Sequence, residues 1–131
     1  MIRYVETLDG ITADQLGGFF EGWRRPVSPD EHLAAMAGSD EIVLAVEEET
    51  GKVVGFITAI NDDVLSAHIP LLEVLPPYRS RGIGTELLRR MLAQLERFYA
   101  VDVVCDTALR KFYETHGMAP ATAMVLRRHE S

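Results

Sequence analysis

The chain has a single cysteine, Cys105, among 131 residues. That excludes an internal disulfide and any zinc site built from several thiolates. Its four histidines, His32, His68, His116 and His129, are scattered, with no pair at helical metal-ligand spacing. Metal catalysis therefore has no support in the sequence, and no metal is expected. No apolar run approaches the roughly 20 residues that a membrane-crossing helix needs. The opening Met1-Ile2-Arg3-Tyr4-Val5-Glu6 has no apolar signal-peptide core, so a cytoplasmic protein is expected. Positive charge is in the minority, 13 Lys and Arg against 20 Asp and Glu, for a net charge of −7. This balance argues against a broad nucleic-acid or anionic-membrane surface. It leaves room for a local basic site that holds one phosphorylated ligand.

What is present is an ordinary globular composition, 47% hydrophobic and 25% charged. The length suits one core, and no repeat, low-complexity tract or linker divides it, so a single domain over 1–131 is expected. Ile2 to Glu6 reads as a short strand. Leu16, Phe19, Phe20 and Trp23 recur at helical spacing after Thr12, although the Gly17-Gly18 pair weakens a helix there. Ser28, Pro29 and Glu31 form a capping-box pattern for a second helix ending near Gly38.

Glu41 to Glu48 and Lys52 to Ile60 are β-rich runs joined by Glu49-Thr50-Gly51, a hairpin pattern, and Ala67 to Leu75 is a third run. Gly82 to Tyr99 is the strongest helix, with Ile83, Leu87, Leu88, Met91, Leu92, Leu95 and Phe98 in one stripe. Val101 to Cys105 reads as a short buried strand, Thr107 to His116 as a helix ended by Gly117, and Ala123 to Arg128 as a last strand. The expected fold is mixed α/β in the order β-α-α-β-β-β-α-β-α-β.

The chemistry concentrates in Leu72-Glu73-Val74-Leu75-Pro76-Pro77-Tyr78-Arg79-Ser80-Arg81-Gly82-Ile83-Gly84-Thr85. A buried strand ends at two prolines, crosses a turn with two arginines and enters a helix through two glycines. The first turn of a helix exposes unpaired N–H groups, and its dipole adds about half a positive charge there. Gly82 and Gly84 clear the approach of a phosphate, and Arg79 and Arg81 add charge-assisted hydrogen bonds. Two other phosphate loops fail on their letters. A dinucleotide fingerprint needs glycine where Leu87 stands, and a nucleoside-triphosphate loop needs Lys and Ser/Thr where Thr85-Glu86 stand.

Arg79-Ser80-Arg81-Gly82-Ile83-Gly84 resembles the Arg/Gln-x-x-Gly-x-Gly/Ala signature of the GCN5-related N-acetyltransferase (GNAT) superfamily. Downstream, Asp106, Phe112-Tyr113-Glu114 and His116-Gly117-Met118 resemble that superfamily's Asn-x-x-Ala-x-x-x-Tyr-Glu-x-x-Gly-Phe. The element order is similar over essentially the whole chain. Asp106 stands for the usual Asn, Leu109 for the frequent Ala and Met118 for the usual Phe. Fourteen residues follow Gly117, room for one final strand in place of the usual pair. The acceptor side is thus expected to be open or completed by a second subunit.

The resemblance implies a mostly antiparallel central sheet flanked by helices, acetyl-CoA as co-substrate and acetyl transfer to a primary amine. It implies that the backbone of Glu73 and Val74 pairs with the pantetheine arm and that Arg79, Ser80, Arg81, Gly82, Ile83, Gly84 and Thr85 hold the pyrophosphate. Tyr113 falls at the position whose hydroxyl protonates the departing thiolate. The Val74 N–H is expected to meet the tetrahedral oxyanion. An ammonium acceptor must first lose a proton, and His68 is the candidate base, six residues before Val74 and expected on the same strand face. The alternative is a strand-edge histidine facing solvent. Glu73 is expected on the opposite face in a structural role. Cys105 is expected to be packing, not a covalent carrier, and Arg24 and Arg25 either meet an acidic acceptor group or lie in solvent. The acidic balance favours a cationic small-molecule or peptide amine, and a homodimer is the default. The rival reading is a non-catalytic acyl-CoA-binding module.

Overall fold

The computed structural model describes residues 1–128. Five strands form one sheet in the order β1 (Ile2–Val5), β2 (Glu41–Glu47), β3 (Val53–Asn61), β4 (Ser66–Val74) and β5 (Ala100–Val103). The first four pair antiparallel, and β4 pairs β5 in parallel. Three α-helices flank it: α1 (Pro29–Ala37), α2 (Ile83–Gln94) and α3 (Arg110–Glu114). The mixed, mostly antiparallel architecture expected from the sequence is present.

Both faces of the sheet are covered, which is why Ile42 to Val46 and Val53 to Ala59 read as near-continuous apolar runs; their side chains are buried whichever way they point. On one face α2 lies close because β3 carries Gly55. A β-carbon there would come within 3.1 Å of Leu87 and 3.3 Å of Ile83. On the other face α1 brings His32 to 4.2 Å, between ring centroids, from Phe56 of β3, with Phe19 and Phe20 edge-on to His32. The α1 cap forms as the sequence predicts: Ser28 Oγ accepts from the Glu31 N–H, and Glu31 accepts from the Ser28 N–H.

Two expected elements take another form. The helix expected from Thr12 to Trp23 is one tight 3₁₀ turn, Ala13–Gln15, followed by irregular turns. Gly18, Phe20 and Gly22 all have positive φ, 97°, 64° and 85°, which no right-handed helix accommodates. The aromatics are buried without the helix because tertiary bonds hold the segment. Gln15 donates to the Gly51 carbonyl at 2.7 Å, Lys52 Nζ to the Gly17 carbonyl at 2.9 Å, and the Phe20 N–H to the Glu73 carboxylate at 3.1 Å.

The expected last strand, Ala123 to Arg128, joins no ladder among the described residues and is exposed. Its β-forming composition does not supply a pairing partner. Other boundaries shift. The long helix ends at Gln94, not Tyr99, tightening at Leu95, and the helix expected from Thr107 begins as a 3₁₀ turn before α3.

Candidate active site

The site is created where β4 and β5 part. Their parallel register runs Ser66 with Ala100, Ala67 with Val101, His68 with Asp102 and Ile69 with Val103, then stops. Pro70 follows, a residue with no N–H to give a ladder. From there β4 keeps β3 on one edge and has a gap on the other, and Leu71 to Val74 are half-buried.

Strand β4 is also irregular at this point. Thr58 pairs with Leu71 and Ile60 with His68, so two steps along β3 answer three along β4. An extra residue reverses the alternation of side chains. His68 therefore shares its face with Leu71 and Glu73, on the α1 side, and not with Val74. This corrects the expectation drawn from their six-residue spacing. Contacts on both sides agree: the Glu73 carboxylate accepts from Phe20, whereas Val74 Cγ2 lies 3.8 Å from where a Gly84 β-carbon would sit.

The same register decides which backbone groups are open to a ligand. The Leu75 N–H donates to the Val54 carbonyl at 2.8 Å, so Leu75, and by alternation Glu73, direct their peptide groups at β3. Val74 and Leu72 direct theirs into the gap. The Val74 carbonyl there accepts from Arg79 Nε at 2.8 Å. The backbone of Glu73 belongs to the sheet ladder, contrary to the pantetheine role expected for it; its carboxyl, raised above the usual carboxylate range mainly by burial, anchors the Phe20 segment.

Beyond Val74 the chain makes a tight turn at Pro76–Tyr78 and reaches the glycine turn. Ser80 and Gly82 have positive φ, 65° and 82°, and Gly82 starts α2 with no side-chain cap. The first helical bond is from the Glu86 N–H to the Gly82 carbonyl. The N–H groups of Ile83, Gly84 and Thr85 are thus left without partners inside the helix. Gly84 faces Val74 and Phe112, whose nearest atoms would lie 3.8 and 3.9 Å from a β-carbon. Arg81 lies over the Tyr78 ring, 5.1 Å from its centroid. The one acid of the first turn, Glu86, is bound at 2.6 Å by both Arg89 and Arg90, which hold its carboxyl down to about 2. Its charge is therefore offset beside the open N–H groups.

On the β5 side a cavity of about 1290 Å³ is lined by His68, Asp102, Cys105, Asp106 and Tyr113 among others. The glycine turn is not part of its lining; Arg79 to Gly82 are exposed directly to solvent. Tyr113 is buried, and burial, with Cys105 second, pushes its hydroxyl up to about 12. Cys105 itself is exposed and lies beyond the end of β5, so it is not the packing residue expected. His68 Nδ1 lies 2.5 Å from Asp102 Oδ1. Asp102 was not singled out by the sequence, where its only mark is a charge inside the apolar Val101-Asp102-Val103-Val104. Arg25 is engaged by Glu31 at 2.6 Å. Trp23 is 53% exposed, whereas Phe19 and Phe20 join the core. No group of metal-ligating side chains occurs among the described residues, and none of their helices is long and apolar enough to cross a membrane.

Two neighbouring strands thus part beside a helix N-terminus freed by glycines, where the resemblance to acetyltransferases implied a donor site. The family model described as Acetyltransferase (GNAT) family matches residues 8–118, and the chain belongs to that family. It is 46% identical to a protein of Deinococcus radiodurans R1 whose 1.19 Å crystal structure is described as that of a candidate acetyltransferase, with a TM-score of 0.93 over 97% of this chain and 88% of that one. The GNAT-family protein SP0256 of Streptococcus pneumoniae TIGR4 shares the fold at 24% identity, with a TM-score of 0.75 and coverage of 99% and 100%. The chloroplastic GCN5-related N-acetyltransferase 1 of Arabidopsis thaliana is 28% identical over 104 residues, 79% of this chain and 51% of that protein. The chain thus spans about half the length of that curated relative.

Proposed function

We propose that the chain transfers an acetyl group from acetyl-CoA to a primary amine by direct attack. The observation that carries this reading is the parting of β4 and β5 after Ile69 and Val103, which leaves the Leu72 and Val74 peptides open between the α2 N-terminus and the cavity lined by His68 and Tyr113. The pyrophosphate sits on the N–H groups of Ile83, Gly84 and Thr85, and the pantetheine arm runs along β4 like an added strand, meeting Val74 and Leu72. The thioester then lies between the parted strands. The Val74 N–H meets the oxyanion as the C–N bond forms.

An ammonium nitrogen loses two protons on becoming an amide. One ends on the coenzyme A sulfur as the C–S bond breaks, and one passes through His68 to solvent. Tyr113, kept neutral by burial, meets the departing thiolate as an O–H donor. His68 approaches from the α1 face, and α3 packs beside the first turn of α2 through Phe112, so donor and base serve opposite sides of the gap. The net charge of −7 favours a cationic amine. The test is amine-dependent release of free thiol from acetyl-CoA, screened over polyamines, amino sugars and lysine peptides. Binding without turnover by any amine would replace this reading with a non-catalytic acyl-CoA-binding module.

A further inference from the structure

We propose that Asp102 is the positioning residue for His68: it accepts a hydrogen bond from Nδ1–H and leaves Nε2 as the atom that receives the acceptor amine's proton through water. The inference rests on the acetyltransfer reading above and assigns a second side chain to it. Parallel strands put paired residues on the same face, and His68 and Asp102 are paired across β4 and β5. Theirs is the last rung on the α1 face before the strands part, since only Ile69 with Val103 follows. The pair therefore stands at the β5 end of the gap, six residues along β4 from Val74 at about 3.3 Å per residue, a span that water bridges, and both residues line the cavity with Tyr113.

The contact is between Nδ1 and Oδ1 at 2.5 Å. A carboxylate only accepts, so the shared hydrogen belongs to Nδ1 and the neutral ring keeps its lone pair on Nε2. Nε2 has no protein partner among the described residues. Backbone register sets the two residues side by side, and although both side chains are exposed, the contact directs Nδ1 at Asp102 and selects the tautomer. Other titratable groups share the cavity: Tyr99 before β5, Cys105 and Asp106 after it, Arg110, Tyr113 and Glu114 on α3, and His116 beyond. Arg110 pairs with Glu114, and among the described residues only Asp102 bonds the imidazole. When Nε2 takes a proton from the ammonium, the Asp102 charge stabilises the imidazolium that results.

The experiment has two readouts on the whole chain. Imidazole ¹⁵N spectra of the free protein are expected to show His68 protonated on Nδ1 when neutral, and Asp102→Asn is expected to move that hydrogen to Nε2. In amine-dependent turnover, Asp102→Asn is expected to lower kcat/KM about 100-fold near neutral pH and to displace the acid limb of the pH profile, with acetyl-CoA binding unchanged. Asp102→Asn added to His68→Ala is expected to cost nothing further, because the two act as a unit. A wild-type tautomer and pH profile in Asp102→Asn would overturn the pairing while leaving acetyl transfer in place. Absence of turnover in the wild-type protein with every amine would overturn the acetyltransfer reading, and this role with it.

Discussion

Arg79 Nε donates to the carbonyl of Val74 at 2.8 Å, tying the start of the glycine turn to the last gap-facing peptide of β4. The bond joins the two halves of the proposed donor site, the edge proposed for the pantetheine arm and the turn proposed for the pyrophosphate. A hydrogen bond to a charged group is worth about 1.5–3 kcal/mol, and 1.4 kcal/mol is tenfold in affinity. Arg79→Ala is expected to weaken acetyl-CoA binding about tenfold or more by calorimetry, with kcat little changed. An unaltered dissociation constant would show that the turn holds its shape without this tie.

Tyr113 is the proposed proton donor, and its burial keeps the hydroxyl neutral until about pH 12. Tyr113→Phe is expected to lower kcat by about 100-fold or more while acetyl-CoA binding is retained. Because the folded value lies above the ordinary 10.0, the fold also favours the protonated phenol. That contribution is complete below pH 10 and is lost as pH rises toward 12. Melting temperatures across this window should fall more steeply for the wild type than for Tyr113→Phe.

His32 should govern the acid side. It is buried among Phe19, Phe20 and Phe56, and neither ring nitrogen has a hydrogen-bond partner among the described residues. Burial lowers its value from 6.5 to about 4. The unfolded chain takes up the proton first, so stability is complete above pH 6.5 and declines as pH falls toward 4, by at most about 1.4 kcal/mol per pH unit. His32→Leu removes both unpaired nitrogens and should flatten the decline in melting temperature between pH 7 and 5. An identical decline in the variant would assign acid lability to other groups.

Gly55 sets the distance between β3 and α2. A β-carbon there would sit 3.1 Å from Leu87 and 3.3 Å from Ile83, the first residue of the helix whose N–H groups are proposed to hold the pyrophosphate. Gly55→Ala is expected to destabilise the protein by about 1–3 kcal/mol in denaturant titration through overpacking. It should also weaken acetyl-CoA binding, since Ile83 must move. Full stability with full affinity would show that α2 has slack.

How legible this molecule was depended on whether a feature is local. The Ser28 cap, the Gly51 turn and the stripe from Ile83 to Met91 are properties of neighbouring residues, and each forms as the letters predict. The glycine turn belongs with them. The segment from Thr12 to Trp23 misleads because helical spacing of Leu16, Phe19, Phe20 and Trp23 is also produced by turns held from outside, here by Gly51, Lys52 and Glu73. The face of His68 could not be read, because a count of six residues cannot show an extra residue opposite Ala59. Asp102 was invisible for a related reason. It matters through a parallel register with a residue 34 positions away, and no local pattern announces that pairing.

If the gap beside Val74 and the first turn of α2 together hold acetyl-CoA, that ligand should stabilise the fold against heat. Gly84 has ordinary room for a β-carbon, so Gly84→Ala should melt and bind much as the wild type does, whereas Gly84→Glu adds a bulky carboxylate, between Val74 and Phe112, to the turn proposed for the phosphates. A ligand at about 100 times its dissociation constant stabilises a fold by roughly 2.7 kcal/mol, which a melting curve resolves. Melting temperature should rise with acetyl-CoA and not with ATP or NADH, and the rise should be lost in a folded Gly84→Glu protein. No rise at millimolar acetyl-CoA, or an equal rise in Gly84→Glu, would contradict it.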